Sequence, residues 1–175
     1  RALAERTVAW QSENFVILES LAKVELEDGN PEKAEVYLDR GLALAPWYSR
    51  LHYYKVMMFI DQKRADEASE LLTMLMEKQA ASPKPFVFQA YVKEKLFGQI
   101  QEAEALLGTA LEKAWDDRYS RMGAMNLAAL YVKTDRKQFA FEIYKTLSER
   151  YPLDTEITRK FQALQKALNS PTLTS

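Results

Sequence analysis

The segment Pro-Glu-Lys-Ala-Glu at residues 31–35 is the first of four similar stretches that decide the fold. The others are Ala-Asp-Glu-Ala-Ser at 65–69, Ile-Gln-Glu-Ala-Glu at 100–104 and Lys-Gln-Phe-Ala-Phe at 137–141, so that their alanines lie 34, 35 and 37 residues apart. A helical apolar pattern precedes and follows each stretch, with a short polar break between the two patterns. The repeating unit is therefore predicted to be a pair of antiparallel helices.

The breaks between these patterns contain residues that end and begin helices. Asn30 before Pro31 is typical of a helix N-terminus, and Gly29 and Gly98 suit the position just past a helix, where φ is positive. Prolines that stop or start helices lie between the pairs, at Pro46, Pro83, Pro85 and Pro152. Helices are predicted at 15–28, 31–45, 48–62, 65–79, 85–97, 99–113, 118–133, 136–150 and 154–168.

The amino-acid composition argues against several classes of function. The 175 residues carry 24 Lys plus Arg against 25 Asp plus Glu, and a net charge of -1 gives no bulk field to attract nucleic acid. The absence of Cys and the single His exclude thiol catalysis, disulfides and multi-histidine metal sites. The longest apolar run, residues 56–60, is far shorter than the roughly 20 residues that cross a bilayer, so no membrane insertion is predicted.

No constellation of residues in the sequence predicts an enzyme. His52 lies at a packing position of a predicted helix and is interpreted as a structural histidine. The five glycines are too dispersed to build a phosphate-binding loop, and the acidic pairs do not stack on one helical face. We therefore predict no catalytic residues, no metal site and no cofactor.

The two ends of the array are predicted to differ. Residues 1–14 are interpreted as the trailing helix of a partial preceding repeat, whose uncapped N-terminal face could form a homo-oligomer. Near the other end, apolar residues form a single stripe on the last helix: Ile157, Phe161, Leu164 and Leu168. This predicts a capping helix over 154–169 and a flexible tail at 170–175. Four repeats are predicted in between, at 15–48, 49–83, 84–120 and 121–153.

These spacings resemble the tetratricopeptide repeat family, whose unit combines large and small residues on a first helix with Ala-x-x-x-Phe and Pro on the second. The first repeat supplies the matching residues Leu18, Leu21, Ala22, Ala34, Leu38 and Pro46. The fourth supplies Ala124, Leu127, Ala128, Tyr131, Ala140, Tyr144 and Pro152. The second repeat is looser, with His52 and Lys55 at positions for large residues. The third supplies Val87, Ala90, Tyr91, Ala103 and Leu107. The resemblance implies an all-α fold, a right-handed α-solenoid of stacked antiparallel helix pairs with a C-terminal capping helix.

In this family the first helices of the pairs line a concave surface that holds ligands. By that resemblance the partner-binding residues are Arg50, Tyr53, Tyr54, Met57, Phe88, Gln89, Val92, Lys95, Met125 and Asn126. Tyr53, Met57, Phe88 and Met125 are predicted to anchor the partner, while Arg50, Lys95 and Asn126 orient it. Packing within the core is an open alternative for each aromatic or Met residue of this set.

The resemblance implies a non-catalytic scaffold that binds a peptide or helix of a partner protein in its concave groove. Two other interpretations stay open. The chain could be a structural spacer or assembly segment of a larger multidomain protein, for instance of the bacterial envelope, with the groove filled by its own chain or a sister copy. It could also resemble the pentatricopeptide class that binds RNA, although the balanced charge and the unequal repeat lengths argue against that.

Overall fold

The computed structural model describes residues 14–113 and 118–169, and the regular structure of this part is entirely helical. The helices are α1 (Phe15–Glu27), α2 (Pro31–Leu44), α3 (Ser49–Asp61), α4 (Ala65–Lys78), α5 (Lys84–Lys95), α6 (Ile100–Lys113), α7 (Arg118–Lys133), α8 (Lys137–Arg150) and α9 (Thr155–Asn169). Every predicted helix is present, with ends within two residues of the prediction. The predicted all-α fold is confirmed, whereas the predictions for residues 1–13 and 170–175 lie outside the described residues.

The chain divides into two compact units, Arg1–Leu71 and Leu72–Ser175, and the division falls inside α4. In the first unit α1 packs along α2, and α2 packs on α3. Gly41 on α2 allows a close approach, because a Cβ there would stand 2.9 Å from Cδ1 of Leu51 on α3. Leu18, Leu38 and Leu51 are fully enclosed at these contacts and form the core of this unit.

The second unit contains two hydrophobic clusters. One joins α5, α6 and α7 through residues that include Val87, Ala103 and Leu127. The other joins α7, α8 and α9 through residues that include Ala128 and Ile157. All four alanines of the repeated stretches, Ala34, Ala68, Ala103 and Ala140, are inaccessible to solvent. Small side chains at these positions let neighbouring helices approach closely, which is why they recur.

The turn inside each helix pair contains one residue with positive φ. Gly29 (φ 75°) and Gly98 (φ 71°) occupy this position in the first and third pairs, as predicted. In the second and fourth pairs the position is held by Lys63 (φ 59°) and Asp135 (φ 57°). A side chain other than Gly is strained in this region, so these two turns need support from outside their own backbone.

The helix α9 closes the second unit. It begins after Asp154, whose Oδ1 accepts hydrogen bonds from the backbone N–H groups of Glu156 (3.1 Å) and Ile157 (3.2 Å). Ile157 and Leu164 are buried against α8, and the ring of Phe161 stacks on another ring of the cluster. These contacts cover the apolar face of the last pair, which confirms the predicted capping helix.

Candidate functional site

A cavity of about 300 Å³ lies between α5 and α7 in the second unit. Its floor is apolar and buried, formed by Ala90, Leu107 and Leu130. The remaining lining residues are more exposed: Tyr91, Glu94, Lys95, Asn126, Ala129 and Lys133. On α7 the lining positions recur every three or four residues, so one face of that helix points into the cavity. We call this cavity the α5/α7 groove.

The charged groups of the α5/α7 groove form one cluster. Oε1 of Glu94 accepts hydrogen bonds from Nζ of Lys95 at 2.8 Å and from Nζ of Lys133 at 3.1 Å. Burial alone would raise the pKa of Glu94, but the hydrogen bonds from the two lysines outweigh burial and lower it below its usual value. The carboxylate is therefore ionised at neutral pH, and two ammonium groups share it.

Two polar side chains of the groove are not engaged by the protein. Within residues 14–113 and 118–169, no hydrogen bond involves the side-chain amide of Asn126 or the hydroxyl of Tyr91. Tyr91 is 45% exposed, an unusual degree for an aromatic residue in the middle of a helix. The amide offers a donor and an acceptor side by side above an apolar floor.

A second cavity, of about 410 Å³, lies between α7, α8 and α9. We call it the α7/α9 pocket. It is lined mainly by apolar groups, with two lysines beside them: Ala129, Val132, Lys137, Tyr144, Lys160, Ala163, Leu164 and Ala167. Ala129 lines both cavities, so the pocket and the α5/α7 groove adjoin on α7.

The pocket's buried wall is provided by Tyr144 and Leu164, which are 2% and 8% exposed. Burial raises the pKa of Tyr144, and the nearby ammonium of Lys160 opposes that rise. The exposed wall is provided by Val132, Ala163 and Ala167. Apolar surface that faces solvent in a concave site is the usual setting for ligand contacts.

The predicted partner-binding residues of the second unit separate into three groups. Lys95 and Asn126 line the α5/α7 groove. Gln89 and Val92 are enclosed in the helix packing, 4% and 0% exposed, so neither offers a surface to a partner. Phe88 and Met125 are half-buried: the ring of Phe88 faces that of Tyr119, with centroids 6.4 Å apart, and Met125 packs against the C-terminal cluster.

In the first unit, the structure brings Arg50 and Tyr54 together, but their polar groups are already engaged. Arg50 Nη2 lies 2.7 Å from Oε1 of Glu19, a carboxylate with a side chain only 7% exposed. The hydrogen bond that Arg50 donates to the hydroxyl of Tyr54 and the charge of Glu19 both raise the pKa of Arg50. Tyr53 is buried, whereas Met57 is 47% exposed and remains an accessible apolar residue on α3. The binding role assigned to these residues stays a prediction.

Sequence reasoning missed most of the groove-lining residues because of a small error in helix rotation. Tyr91 matches a large residue of the repeat skeleton, which assigned it to the core, while its neighbour Val92 was assigned to the groove. Successive residues point about 100° apart around a helix, so an error of one position exchanges an exposed side chain for a buried one. The signal that could have found the correct face is the run of polar residues from Lys93 to Lys95 beside an aromatic residue.

His52 is buried inside the first unit. One ring nitrogen, Nε2, lies 2.9 Å from the carbonyl oxygen of Pro46, and the residue is 9% exposed. Among the described residues, no group of three His, Asp or Glu side chains could hold a metal ion. No helix in the same part of the chain combines the length and the apolar character that crossing a membrane requires.

Comparison with known proteins finds a family model that matches part of the chain. Residues 25–84 match the model of the tetratricopeptide repeat. This range contains the looser second repeat, and the match confirms the resemblance drawn from the spacing of the alanines. No curated protein matches this sequence.

Solved structures with the same fold are tetratricopeptide repeat proteins of low sequence identity. A thermophilic tetratricopeptide repeat protein from Thermus thermophilus is 19% identical, with 94% of this chain and 88% of that chain covered and a TM-score of 0.70. MamA from Desulfovibrio magneticus RS-1 is 15% identical, over 82% and 79% of the two chains, with a TM-score of 0.64. YrrB, described as a repeat protein with an unusual peptide-binding site, is 13% identical over 94% and 82%, with a TM-score of 0.62.

Proposed function

Because the chain has the tetratricopeptide repeat fold, and carries that repeat in sequence over residues 25–84, we propose that it is a non-catalytic scaffold that binds an extended segment of a partner protein in the α5/α7 groove. Helical repeat arrays in general form extended concave surfaces that bind other molecules. The residues assigned to binding are Tyr91, Lys95, Asn126 and Lys133.

The observation that carries the proposal is the Asn126 amide above the apolar floor of the groove. An extended polypeptide presents a backbone N–H and a backbone C=O at regular intervals, and neither is satisfied within the segment. One side-chain amide can accept from the first and donate to the second. This arrangement supports recognition of a backbone, whereas a small metabolite would need more enclosed surface than an open groove of this size provides.

The rest of the groove supports modest affinity. Ala90, Leu107 and Leu130 provide an apolar floor, and the ring of Tyr91 can cover a ligand from one side. Full burial of one aliphatic side chain contributes roughly 1.5–3 kcal/mol. A few such contacts, after the cost of ordering the segment, correspond to dissociation constants of about 1 μM to 1 mM.

The experiment is selection of random peptides displayed on phage against the whole protein, followed by measurement of the selected synthetic peptides by fluorescence anisotropy. We expect N126A to weaken their binding about tenfold, because about two hydrogen bonds are lost. The substitution should not unfold the helix, because Ala is a stronger helix former than Asn.

The matched control is Q138A, which removes an exposed side-chain amide from α8 that donates to Glu142 at 3.2 Å and lines neither cavity. It should leave binding unchanged. Selected peptides that bind N126A and the wild type equally well, or a selection that yields no binding peptide, would contradict the proposal.

Self-association through the N-terminal face remains a separate prediction. It is supported by the apolar side chains that α1 exposes, Val16 at 50%, Leu21 at 39% and Val24 at 52%. Light scattering tests it: V24E should lower the apparent mass of any oligomer, because a buried charge at the contact is costly. A wild-type chain that stays monomeric at high concentration would rule this interface out.

A further inference from the structure

The α7/α9 pocket is chemically different from the α5/α7 groove that it adjoins. Its surface is mainly apolar, with Tyr144 and Leu164 as the buried wall and Ala163 and Ala167 as the open one. Val132, which is 40% exposed, borders it. A pocket of about 410 Å³ with this lining accepts an aliphatic side chain readily and gives few hydrogen bonds to a polar one.

The charges around the two cavities are unbalanced. Among residues 14–113 and 118–169, four lysines line them, Lys95, Lys133, Lys137 and Lys160, against one lining carboxylate, Glu94. The whole chain has a net charge of -1, so this excess of positive charge is local and does not follow from composition. A concave surface with one predominant sign of charge attracts a segment of the opposite sign.

The ion pairs already present leave the lysines available. Lys137 lies 2.8 Å from Oδ1 of Asp135, a side chain that is 84% exposed, and Lys160 lies 2.9 Å from Oε1 of Glu156, which is 54% exposed. Ion pairs this exposed contribute little to stability, and their lysines can turn to a new partner at low cost. In the groove, Lys95 and Lys133 both pair with Glu94, so that two positive charges face one negative charge there.

We propose that the occupant of these adjoining cavities is an acidic segment of a partner protein, with one Leu, Ile or Val side chain seated in the α7/α9 pocket and Asp or Glu side chains beside it at Lys133, Lys137 and Lys160. The inference rests on the proposed function, because it names the peptide chemistry that the scaffold selects. The shared residue Ala129 places the aliphatic anchor next to the part of the segment that Asn126 holds.

The experiment uses the same displayed random peptides, with two readouts. The selected peptides should be enriched in Asp or Glu next to an aliphatic residue, and their affinity should fall as salt is raised, because exposed charges are screened. A peptide in which the aliphatic residue is replaced by Ser should bind about tenfold more weakly.

Variants of the protein test the pocket directly. A163W fills the open wall, and Q165W is its matched control, since Gln165 is an exposed residue of α9 that does not line the pocket. We expect A163W to weaken binding about tenfold and Q165W to leave it unchanged. The double variant K137Q/K160Q should weaken the binding of acidic peptides and make that binding less sensitive to salt. The control K145Q on α8 should change neither the affinity nor its salt dependence.

Failure of this inference is distinguishable from failure of the proposed function. If the selected peptides depend on Asn126 but are basic or neutral, or bind A163W as well as the wild type, the groove binds peptides and the acidic-aliphatic preference is wrong. If A163W leaves peptide binding by the full chain unchanged, and removal of residues 170–175 strengthens that binding, the chain's own tail is the occupant and the inference is overturned. A dimer that A163W dissociates would overturn it in favour of a second copy.

Discussion

Arg136 donates two hydrogen bonds to the carboxylate of Glu104, from Nη1 at 3.0 Å and from Nη2 at 2.6 Å. Its guanidinium also lies 4.6 Å from the centroid of the Tyr131 ring. Arg136 directly follows Asp135, the residue with positive φ in the turn before α8, and Glu104 lies on α6. This pair therefore ties a strained turn to the second helix of the preceding pair.

The first unit contains the same arrangement. Arg64 follows Lys63 and donates to Glu35 on α2 at 2.7 and 3.1 Å, while its guanidinium lies 4.3 Å from the centroid of the Phe59 ring. The turns with Gly29 or Gly98 have no arginine at the next position. The bidentate Arg–Glu pair and the neighbouring aromatic ring therefore occur at the two turns in which a residue other than Gly has positive φ.

The first prediction concerns the geometry of this pair. R136K keeps the positive charge but cannot make two parallel hydrogen bonds or stack its head group flat on Tyr131. We expect it to lower the free energy of unfolding, as measured by urea denaturation followed by circular dichroism. R159K, at an exposed position of α9, is the control and should change nothing. Equal loss in both variants would show that the paired geometry has no special role.

The second prediction concerns the stability of the fold at low pH. The hydrogen bonds from Arg136 lower the pKa of Glu104 below its ordinary 4.5, since they outweigh the opposing effect of burial. A carboxyl with a lowered pKa stabilises the fold fully above that ordinary value, and the contribution is lost as pH falls through the pKa of the folded protein. Stability of the wild type should therefore decline below about pH 4.5. E104Q should show a weaker decline in urea denaturation at a series of pH values, and an unchanged pH dependence would contradict the assignment.

The third prediction concerns the repeated alanines. Ala103 is inaccessible to solvent between α5 and α6, so A103L has no space for the added atoms and should destabilise the fold by about 1–3 kcal/mol. A105L, two residues along the same helix at an exposed position, is the matched control. Thermal unfolding should separate the two variants, and an A103L protein as stable as A105L would show that close helix approach at this position is not needed.

The fourth prediction concerns the capping helix. Ile157 is fully buried in the C-terminal cluster, so I157A should cost about 2–5 kcal/mol through lost burial and the cavity left behind. Leu153 is 94% exposed, and L153A removes similar apolar bulk from the surface with almost no effect. Hydrogen exchange of the α9 amides would report the loss locally, and unchanged protection in I157A would argue against the capping role.

The helices could be predicted from sequence because their signals are local. Asn30, Pro31 and the glycines mark ends, and the alanines mark contacts that recur at a nearly constant interval. The groove was harder, because which side of α5 is open depends on how α6 and α7 pack against it. Tyr91 shows the difficulty: its sequence position suggests a core residue, and the tertiary contacts leave it exposed.

The α7/α9 pocket could not be predicted from the sequence, for a different reason. Ile157, Phe161 and Leu164 of the predicted stripe lie against the last pair, whereas Leu168 is 38% exposed. Ala163 and Ala167 lie beside that stripe, and their small side chains leave a space that only the arrangement of α7 and α8 reveals. Periodicity identifies what a helix buries, but it carries no information on the gaps that remain.

Turns with Gly at positive φ alternate with turns that have Lys63 or Asp135 there, and this alternation bears on which segments of the chain can be transferred as a unit. A pair with a glycine turn supplies the glutamate, Glu35 or Glu104, and the pair that follows supplies the arginine that binds it. A shortened protein that separates the two would lose the bidentate pair beside the turn, whereas one that keeps both pairs of helices together retains it. The natural module for grafting or duplication is thus four helices long, twice the length that the alanine spacing alone suggests.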